Sequence, residues 1–167
     1  MLPTPAGPVR LRDAGLPDVQ AIAEFQTRCW REAYRGLVPQ AYLDRLGVTD
    51  REVRWSERIV SGARRVALAA LGDSGGRVVG VVSWGWPDAP DAPALELSSL
   101  YVDRAHRGTG LADVLLQHAV GDDPAHLWVF RDNPRARAFY ARHRFAPDGR
   151  TRTDRGTGLP EERLVRR

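Results

Sequence analysis

A short glycine-bearing segment, Arg107-Gly108-Thr109-Gly110-Leu111-Ala112, is the part of the sequence best suited to binding an anion. It follows a predicted strand over Leu95–Val102 and leads directly into a predicted helix over Gly110–Val120. The first N–H groups of a helix have no partner inside the helix, and the helix dipole adds partial positive charge there. Glycines let the backbone approach a phosphate closely, and the Arg107 guanidinium adds a charged donor. The segment therefore predicts a phosphate-binding turn, although an ordinary strand-to-helix connection uses the same residue types.

Two common phosphate-binding motifs do not fit this segment. A P-loop needs a lysine, and all 25 basic residues of the chain are arginine. A dinucleotide fingerprint needs a third glycine, where this sequence has Ala112, and an acidic residue about 20 positions further on. Asp122 and Asp123 stand there, but at a predicted helix end or loop rather than at a strand end. The P-loop interpretation is excluded, and the dinucleotide interpretation is disfavoured.

A second helix is predicted to begin at Asn133-Pro134. Asparagine is a preferred N-cap residue, and proline suits the first helical position. Helical spacing places Ala136, Phe139 and Tyr140 on the inner face of this helix. Tyr140 is therefore either a core aromatic residue or a proton donor beside a site.

Together the two segments resemble the GNAT acyltransferase superfamily. The stretch from Leu100-Tyr101-Val102 to Ala112 is similar to its central acyl-CoA motif. The stretch from Asn133 to Phe145 is similar to its next motif, N-x-x-A-x-x-F-Y-x-x-x-G-F, at the family's spacing. Trp30–Gly36 is similar to the substrate-side helices of many bacterial members, and the resemblance extends from about Val9 to Val165.

The resemblance implies a mixed α/β (α+β) fold in a single domain over residues 1–167. A largely antiparallel central sheet of about seven strands would be flanked by helices, with a splayed parallel pair of strands binding CoA. Two positions depart from the family pattern. Ala105 stands where Gln or Arg is common, and Arg144 replaces the glycine of the terminal G-F.

The same resemblance implies an N-acetyltransferase, in which an amine attacks acetyl-CoA directly in a ternary complex and Tyr140 protonates the departing thiolate. A phenol with a pKa of about 10 can donate to a thiolate whose acid has a pKa near ~8.5 when it is well positioned. A non-catalytic acyl-CoA sensor is the alternative, and the presence of Tyr140 and Asn133 argues against it. The implied cofactor-binding residues are Leu100, Tyr101, Val102, Arg107, Gly108, Thr109, Gly110, Leu111, Ala112, Asn133 and Phe139.

Glu96 is the predicted catalytic base, acting directly or through water. A carboxylate near a dry cleft has a raised pKa and accepts a proton more readily, whereas a solvent-facing strand glutamate does neither. Strict alternation places Glu96, Ser98, Leu100 and Val102 on one face of the strand. A bulge, which the family usually has in this strand, would break that parity.

Three aromatic residues, Trp30, Tyr34 and Trp84, are predicted to line the acceptor pocket, with Trp86 nearby. Aromatic faces bind ammonium groups, but packing in the core is the alternative for each tryptophan. The implied acceptor is a small-molecule or peptide amine. Amino acids, polyamines, aminoglycosides, peptide N-termini and xenobiotic amines all remain compatible with the sequence.

Composition narrows the remaining classes of function. The net charge of the chain is +4. The arginines are spread along the sequence and are not interleaved with aromatic residues, so no nucleic-acid partner is expected. No apolar stretch is long enough to span a bilayer and no signal peptide is recognisable, which favours the cytoplasm. Cys29 is the only cysteine, and the four histidines lack metal spacing, so neither a disulfide nor a metal is expected. A homodimer is compatible with the resemblance.

Hydrophobic periodicity predicts the remaining elements in the order β-α-α-(α)-β-β-β-α-β-α-β-β. Asp50 is the predicted N-cap of its helix, and the five residues from Gly72 to Gly76 are predicted to connect a hairpin. Pro147–Gly149 is predicted to be a turn that precedes the last two strands. The predicted strands are Val9–Arg12, Arg65–Leu71, Arg77–Trp86, His126–Phe130 and Glu161–Val165, and the predicted helices run from Asp13–Asp18 toward Trp30, over Pro39–Leu46 and over Asp50–Ser61.

Overall fold

A mixed sheet runs through the centre of the protein. The computed structural model describes residues 2–4, 7–72, 76–87 and 89–167, and these residues form eight strands in the order β1-β2-β3-β4-β5-β6-β8-β7. The strands are β1 (Leu2–Thr4), β2 (Gly7–Asp13), β3 (Arg64–Leu71), β4 (Val78–Gly85), β5 (Leu95–Val102), β6 (Ala125–Phe130), β7 (Ala146–Thr153) and β8 (Pro160–Arg166). Only β5 and β6 pair in parallel, and every other neighbouring pair is antiparallel. The predicted, largely antiparallel sheet is therefore confirmed, with β1 as an additional short edge strand.

Helices cover both faces of the sheet. Each face of the sheet carries its own cluster of buried residues: α1 and α3 pack on one face, and α4 and α5 pack on the other. No helix within the described ranges is both long and apolar enough to cross a membrane. The helices are α1 (Val19–Ala33), α2 (Gln40–Asp44), α3 (Val48–Ser61), α4 (Leu111–Val120) and α5 (Pro134–Arg142), with short 3-10 turns at Leu16–Asp18 and Arg104–His106.

Strand β5 contains one residue more than the strand it pairs with. Ser83 of β4 lies opposite Ser99, but the next residue, Trp84, lies opposite Leu97, so that Ser98 is the extra residue of a bulge. The bulge reverses the alternation along β5. Leu95, Leu97, Leu100 and Val102 all pack toward α4 and α5, and Tyr101 packs toward α1 and α3. The prediction that Glu96, Ser98, Leu100 and Val102 share a face is therefore wrong, and the bulge that was expected from the family resemblance is the reason.

The parallel pair separates soon after it begins. β5 and β6 are in register only from Leu95, opposite Ala125, to Leu97, opposite Leu127. β5 then continues to Val102 and β6 to Phe130 without pairing with each other. The pair is splayed, as the family resemblance predicted, and a gap opens in the middle of the sheet.

Three local predictions differ from the structure or fall outside it. The N-cap of α3 is Gly47, and Asp50 lies in the first turn, where its negative charge still complements the helix dipole. Pro147–Gly149 lies inside β7, where the register with β8 breaks between Pro147 and Thr151, and is not a turn that precedes the last two strands. Residues 73–75 of the predicted hairpin connection lie outside the described residues.

The two ends of α5 explain how this helix is fixed. At its start, the Asn133 side chain accepts a hydrogen bond from the Ala136 N–H at 3.1 Å, so the predicted N-cap is confirmed. At its end, Phe145 N–H bonds to the Tyr140 carbonyl at 3.1 Å and Arg144 N–H bonds to the Ala141 carbonyl at 3.0 Å. This pair of bonds is a Schellman motif, in which the residue in the left-handed conformation is usually glycine. Arg144 adopts that conformation with a φ of 66°.

We expect Arg144→Gly to stabilise the protein. A side chain in the left-handed region costs about 1–2 kcal/mol, whereas glycine adopts that conformation freely. The ion pair that would be lost, between Arg144 and Asp122, is largely exposed and contributes little. Urea denaturation followed by circular dichroism should show a free energy of unfolding higher by roughly 1 kcal/mol. The matched control Ala138→Gly, at an exposed position within α5, should lower it by about 0.5–1 kcal/mol. A loss of stability in both variants would contradict the prediction.

Candidate functional site

Two adjoining cavities lie where β5 and β6 separate. The first, here called the glycine-side cavity, has a volume of about 490 Å³ and is lined by the glycine segment, the end of β5 and the inner face of α5. The second, here called the arginine-side cavity, has a volume of about 580 Å³ and is lined by α1, α3, the middle of β5 and the β7–β8 connection. Both cavities are bounded by Tyr34, Leu100, Tyr101, Asn133, Ala136 and Tyr140.

Most of the predicted cofactor-binding residues line the glycine-side cavity. Two do not, because the Leu111 side chain is buried in the core and the Thr109 hydroxyl donates a hydrogen bond to the His106 carbonyl at 2.7 Å. These two residues instead hold the turn in place. The predicted residues that line the cavity are Leu100, Tyr101, Val102, Arg107, Gly108, Gly110, Ala112, Asn133 and Phe139.

The glycine segment has the backbone geometry of an anion-binding turn. Gly108 and Gly110 have φ values of 79° and 86°, and a side chain at either position would meet nothing within 4 Å. Glycine is thus needed here for its backbone conformation and not for lack of space. Gly110 is the N-cap of α4, so the first N–H groups of this ten-residue helix lie at the cavity wall.

Arginines concentrate at the same end of the molecule. Arg107 and Arg135 line both the glycine-side cavity and an adjoining pocket that is also lined by Arg35, Arg104 and one acidic residue, Glu32. Burial, followed by the nearby charge of Arg107, lowers the pKa of Arg135. This mouth of the glycine-side cavity therefore combines free helix N–H groups with several positive charges.

Tyr140 stands where the two cavities meet. Burial raises its pKa above the ordinary value for a tyrosine, and the neighbouring Tyr101 raises it further. Burial also raises the pKa of Tyr34, another of the three tyrosines that line both cavities. Both phenols are therefore protonated at neutral pH and can donate a hydrogen bond or a proton.

Glu96 lies beside the arginine-side cavity but does not line it. Its carboxylate accepts a hydrogen bond from Arg64 at 3.1 Å, and His126 Nε2 lies 4.0 Å from the same oxygen. Arg64 also bonds to the hydroxyl of Ser98, which does line the cavity. The carboxylates that line the cavity are instead those of Asp154 and Glu161.

The tryptophans predicted to bind the acceptor divide into two groups. Trp30 lines the arginine-side cavity together with Tyr34. Trp84 does not, because it is buried on the α4 face of the sheet with its ring edge-on to His118. Trp86 is exposed and lies against Arg65. For Trp84, packing in the core is therefore the correct interpretation, and its predicted role in binding the acceptor is wrong.

Sequence reasoning missed a set of residues on α3. Arg51, Arg54, Trp55 and Arg58 all line the arginine-side cavity. Their spacing of i, i+3, i+4 and i+7 places them on one face of a helix, a signal that is visible in the sequence. This signal is hard to see in the composition alone, because arginine is frequent along the whole chain, and it appears only when each helix is considered separately.

The comparisons with known proteins agree with this architecture. The model of the acetyltransferase (GNAT) family matches residues 19–145 of the chain. The protein belongs to the GNAT family. It is 28% identical over 150 residues to a "probable N-acetyltransferase" of Mycobacterium tuberculosis, with 87% of this chain and 84% of the relative covered. It is 30% identical over 136 residues to YuaI, an uncharacterized N-acetyltransferase of Bacillus subtilis, with 75% and 74% covered. The crystal structure of the PaiA N-acetyltransferase of Thermoplasma acidophilum in complex with coenzyme A shares the fold with a TM-score of 0.70 at 17% identity, over 93% of this chain and 98% of that chain.

Membership of the GNAT family confirms the resemblance that was read from the two motifs. Both the segment that ends at Ala112 and the segment that ends at Phe145 fall within the matched residues. The departure at Arg144 leaves the GNAT turn intact, because the arginine adopts the backbone conformation that the family's glycine would have. The described part of this GNAT chain gathers no three His, Cys, Asp or Glu side chains that could hold a metal ion.

We expect the Cys29 thiol of this GNAT protein to be unreactive in the folded state. Cys29 is buried beside the glycine-side cavity, and burial raises the pKa of its thiol to about 12. An unfolded cysteine ionises near pH ~8.5, and only the thiolate reacts with iodoacetamide. Labelling of the native protein should therefore stay slow from about pH 7 to pH 9, while the urea-unfolded control reacts faster as the pH rises. Native labelling that increases with a midpoint near pH ~8.5 would contradict the raised pKa.

Proposed function

We propose that this GNAT protein transfers an acetyl group from acetyl-CoA to a primary amine, with CoA in the glycine-side cavity and the amine in the arginine-side cavity. The observation that carries the proposal is that the two cavities meet at Tyr140. A donor and an acceptor that enter from opposite sides would therefore react beside a protonated phenol.

The residues of the glycine-side cavity fit the polar parts of CoA. The N–H groups at the start of α4, together with Arg107 and Arg135, suit the pyrophosphate. Beyond Leu97, the edge of β5 that faces β6 has no strand partner among the described residues. Its backbone groups are therefore available to the pantetheine amides in the manner of an added strand. The PaiA structure, which shares this fold and contains coenzyme A, supports CoA as the ligand.

Acetyl-CoA would supply the activated acetyl group as a thioester. The protein's contribution at the reacting end is to position the two substrates and to move protons. Tyr140 is proposed to donate a proton to the sulfur of the departing thiol, since its phenol is neutral and lines both cavities. Asn133 caps α5, which holds Tyr140 in place, and its side chain also borders both cavities.

The acceptor amine must lose a proton to become a nucleophile. We propose Glu96 as the base that receives this proton through water, because Ser98 and Arg64 connect its carboxylate to the cavity wall. Glu161 is the competing carboxylate, since it lines the cavity directly. Like Glu96, it accepts a hydrogen bond from an arginine, in this case Arg152 at 2.6 Å.

Thiol release from acetyl-CoA in the presence of a panel of amines tests the proposed function, and Tyr140→Phe tests the role of the phenol. We expect kcat of Tyr140→Phe to fall by about a hundredfold or more, because a lost general acid typically costs that much. The dissociation constant for CoA, measured by calorimetry, should change little. Tyr42→Phe, which removes a hydroxyl only from the arginine-side cavity, is the matched control and should retain most of the activity. An unchanged kcat in Tyr140→Phe would remove the phenol from the mechanism, and CoA binding without turnover of any amine would indicate a sensor.

The pH dependence of kcat/KM distinguishes the two carboxylates. If Glu96 accepts the proton, activity falls at low pH as its carboxylate becomes protonated, and Glu96→Gln should abolish this acidic limb. Glu161→Gln should preserve the limb, whatever it does to the overall rate. The opposite outcome, with the limb retained in Glu96→Gln and lost in Glu161→Gln, would transfer the role to Glu161.

A further inference from the structure

We propose that the acceptor amine also carries an oxyanion group, either a carboxylate or a phosphoryl group, and that Arg51, Arg54 and Arg58 bind this group in the arginine-side cavity. The inference rests on the proposed function and adds the chemical class of the acceptor. It depends on the side chains of α3 and on their surroundings.

The three arginines form one positively charged wall. They lie at i, i+3 and i+7 on α3, so they occupy the same face of the helix, and all three line the cavity. The acidic residues of α3, namely Asp50, Glu52 and Glu57, do not line it. The helix therefore presents positive charge toward the cavity and places its negative charge elsewhere.

These arginines have no anionic partner within the described part of the chain. No carboxylate there lies within ion-pair distance of Arg51, Arg54 or Arg58. Arg51 is only 8% exposed, and its Nε is buried without a hydrogen-bond partner. A buried charge without a partner is unfavourable, and native structures almost always satisfy such groups with protein, water or a ligand.

The two other buried arginines of the described residues, Arg163 and Arg166, both have hydrogen-bond acceptors. Arg163 is 5% exposed and bonds to both Asp148 and Asp91. Arg166 is also 5% exposed and donates to the backbone carbonyls of Val120, Gly121 and Asp123. The fold thus supplies oxygen acceptors to these two buried arginines, whereas no such acceptor within the described residues bonds to the arginines of the wall on α3.

Electrostatics of the wall also favour an anion. Burial lowers the pKa of both Arg51 and Arg58, and the charge of Arg54 between them lowers each further. Burial and a neighbouring like charge both disfavour the ionised form of an arginine. A bound oxyanion would relieve both effects, and the planar guanidinium matches carboxylate and phosphoryl oxygens equally well.

Tryptophans hold the guanidinium groups in position. The Arg51 guanidinium lies 5.0 Å from the centre of the Trp30 ring, and the Arg58 guanidinium lies 4.7 Å from the centre of the Trp55 ring. The rings are themselves fixed, because Trp30 Nε1 donates to the Tyr101 hydroxyl and Trp55 Nε1 donates to Gln26 Oε1, each at 3.0 Å. These ring faces are occupied by arginine and are not available as a cage for a substrate ammonium group.

The two carboxylates that line the cavity are outnumbered by its arginines, which also include Arg152 and Arg155. Glu161 is bonded to Arg152, and Asp154 accepts hydrogen bonds from both the N–H and the hydroxyl of Thr157 at 2.7 Å. Both carboxylates therefore already accept hydrogen bonds from residues in or beside the β7–β8 connection. A polycationic acceptor would meet three unpaired arginines and would be disfavoured, whereas a small amine with an oxyanion group fits the charge and the volume of the cavity.

Matched pairs of amines test the proposal in the acetylation assay. O-phosphoethanolamine is compared with ethanolamine, and γ-aminobutyrate with butylamine, at saturating acetyl-CoA. Charge-assisted hydrogen bonds are strong enough that the oxyanion member of at least one pair should have a kcat/KM higher by about tenfold or more. The pair that shows the preference identifies the group as phosphoryl or carboxylate. If neither pair shows a preference, or if the neutral members or spermidine are the better substrates, the proposal is overturned.

Variants separate binding of the oxyanion from a general loss of structure. Arg54 is the exposed member of the wall, so Arg54→Gln should fold normally. We expect it to lower kcat/KM for the oxyanion amine by about tenfold or more while leaving the neutral partner and the KM for acetyl-CoA unchanged. Arg58→Gln should show the same selective loss. Arg45→Gln, at an exposed position outside both cavities, is the matched control and should change none of these values. Equal slowing of both members of a pair would overturn the proposal.

The failure of the inference can be told apart from failure of the proposed function. If CoA binds but no amine is acetylated, the proposed function fails. Calorimetric titration of the CoA complex with the same four amines then decides on the oxyanion site. Tighter binding of an oxyanion amine that is weakened in Arg54→Gln supports the site, and the absence of any such difference overturns it.

Discussion

Pairing between β4 and β5 accommodates one extra residue, Ser98, and both cavities depend on it. Because side chains alternate along a strand, an insertion of one residue sends every later side chain to the opposite face. Leu100 and Val102 therefore continue the core beside α4, and Tyr101 turns toward α1, where its hydroxyl receives the Trp30 indole N–H. Without the bulge, the tyrosine would enter the apolar core, and two aliphatic side chains would replace it on the face that carries α1 and α3.

The separation of β5 from β6 adds a second constraint. The backbone groups of β5 beyond Leu97 no longer pair with β6, and covering them with a helix or loop would leave them without hydrogen bonds. Here these backbone groups border an open cavity instead. The start of α4 and the inner face of α5 border the same opening, so the free edge of β5, the helix N–H groups and the Tyr140 phenol are brought together. The separation of β5 from β6 thus brings together groups that are far apart in the sequence.

The sequence was informative where local rules decide the structure. The bounds of β5, the N-cap at Asn133 and the succession of helices and strands along the chain from β2 onward follow from alternation, capping preferences and turn residues, and the structure agrees with all three. Local rules could not predict the surroundings of Trp84 or of the Glu96 carboxylate, because distant elements supply them. Trp84 packs beside α4, and Glu96 is bonded to Arg64 of β3. They also misjudged Pro147–Gly149, since turn residues that break a strand resemble those that end one. The arginine wall on α3 was readable as helical spacing, but its unpaired state appears only when the neighbouring elements are in place.

Strand β7 forms one edge of the sheet, and its irregular middle has a consequence for the behaviour of the protein in concentrated solution. An exposed strand edge is a template on which a second chain can add its own strand. The pairing of β7 with β8 loses its register between Pro147 and Thr151. Pro147 has no backbone N–H group to donate, and Gly149 has a φ of 87°. The regular edge is therefore divided into two short pieces, which hinders a second chain from continuing the ladder along it. The residues that were predicted to form a turn thus interrupt the edge on which another molecule could add a strand.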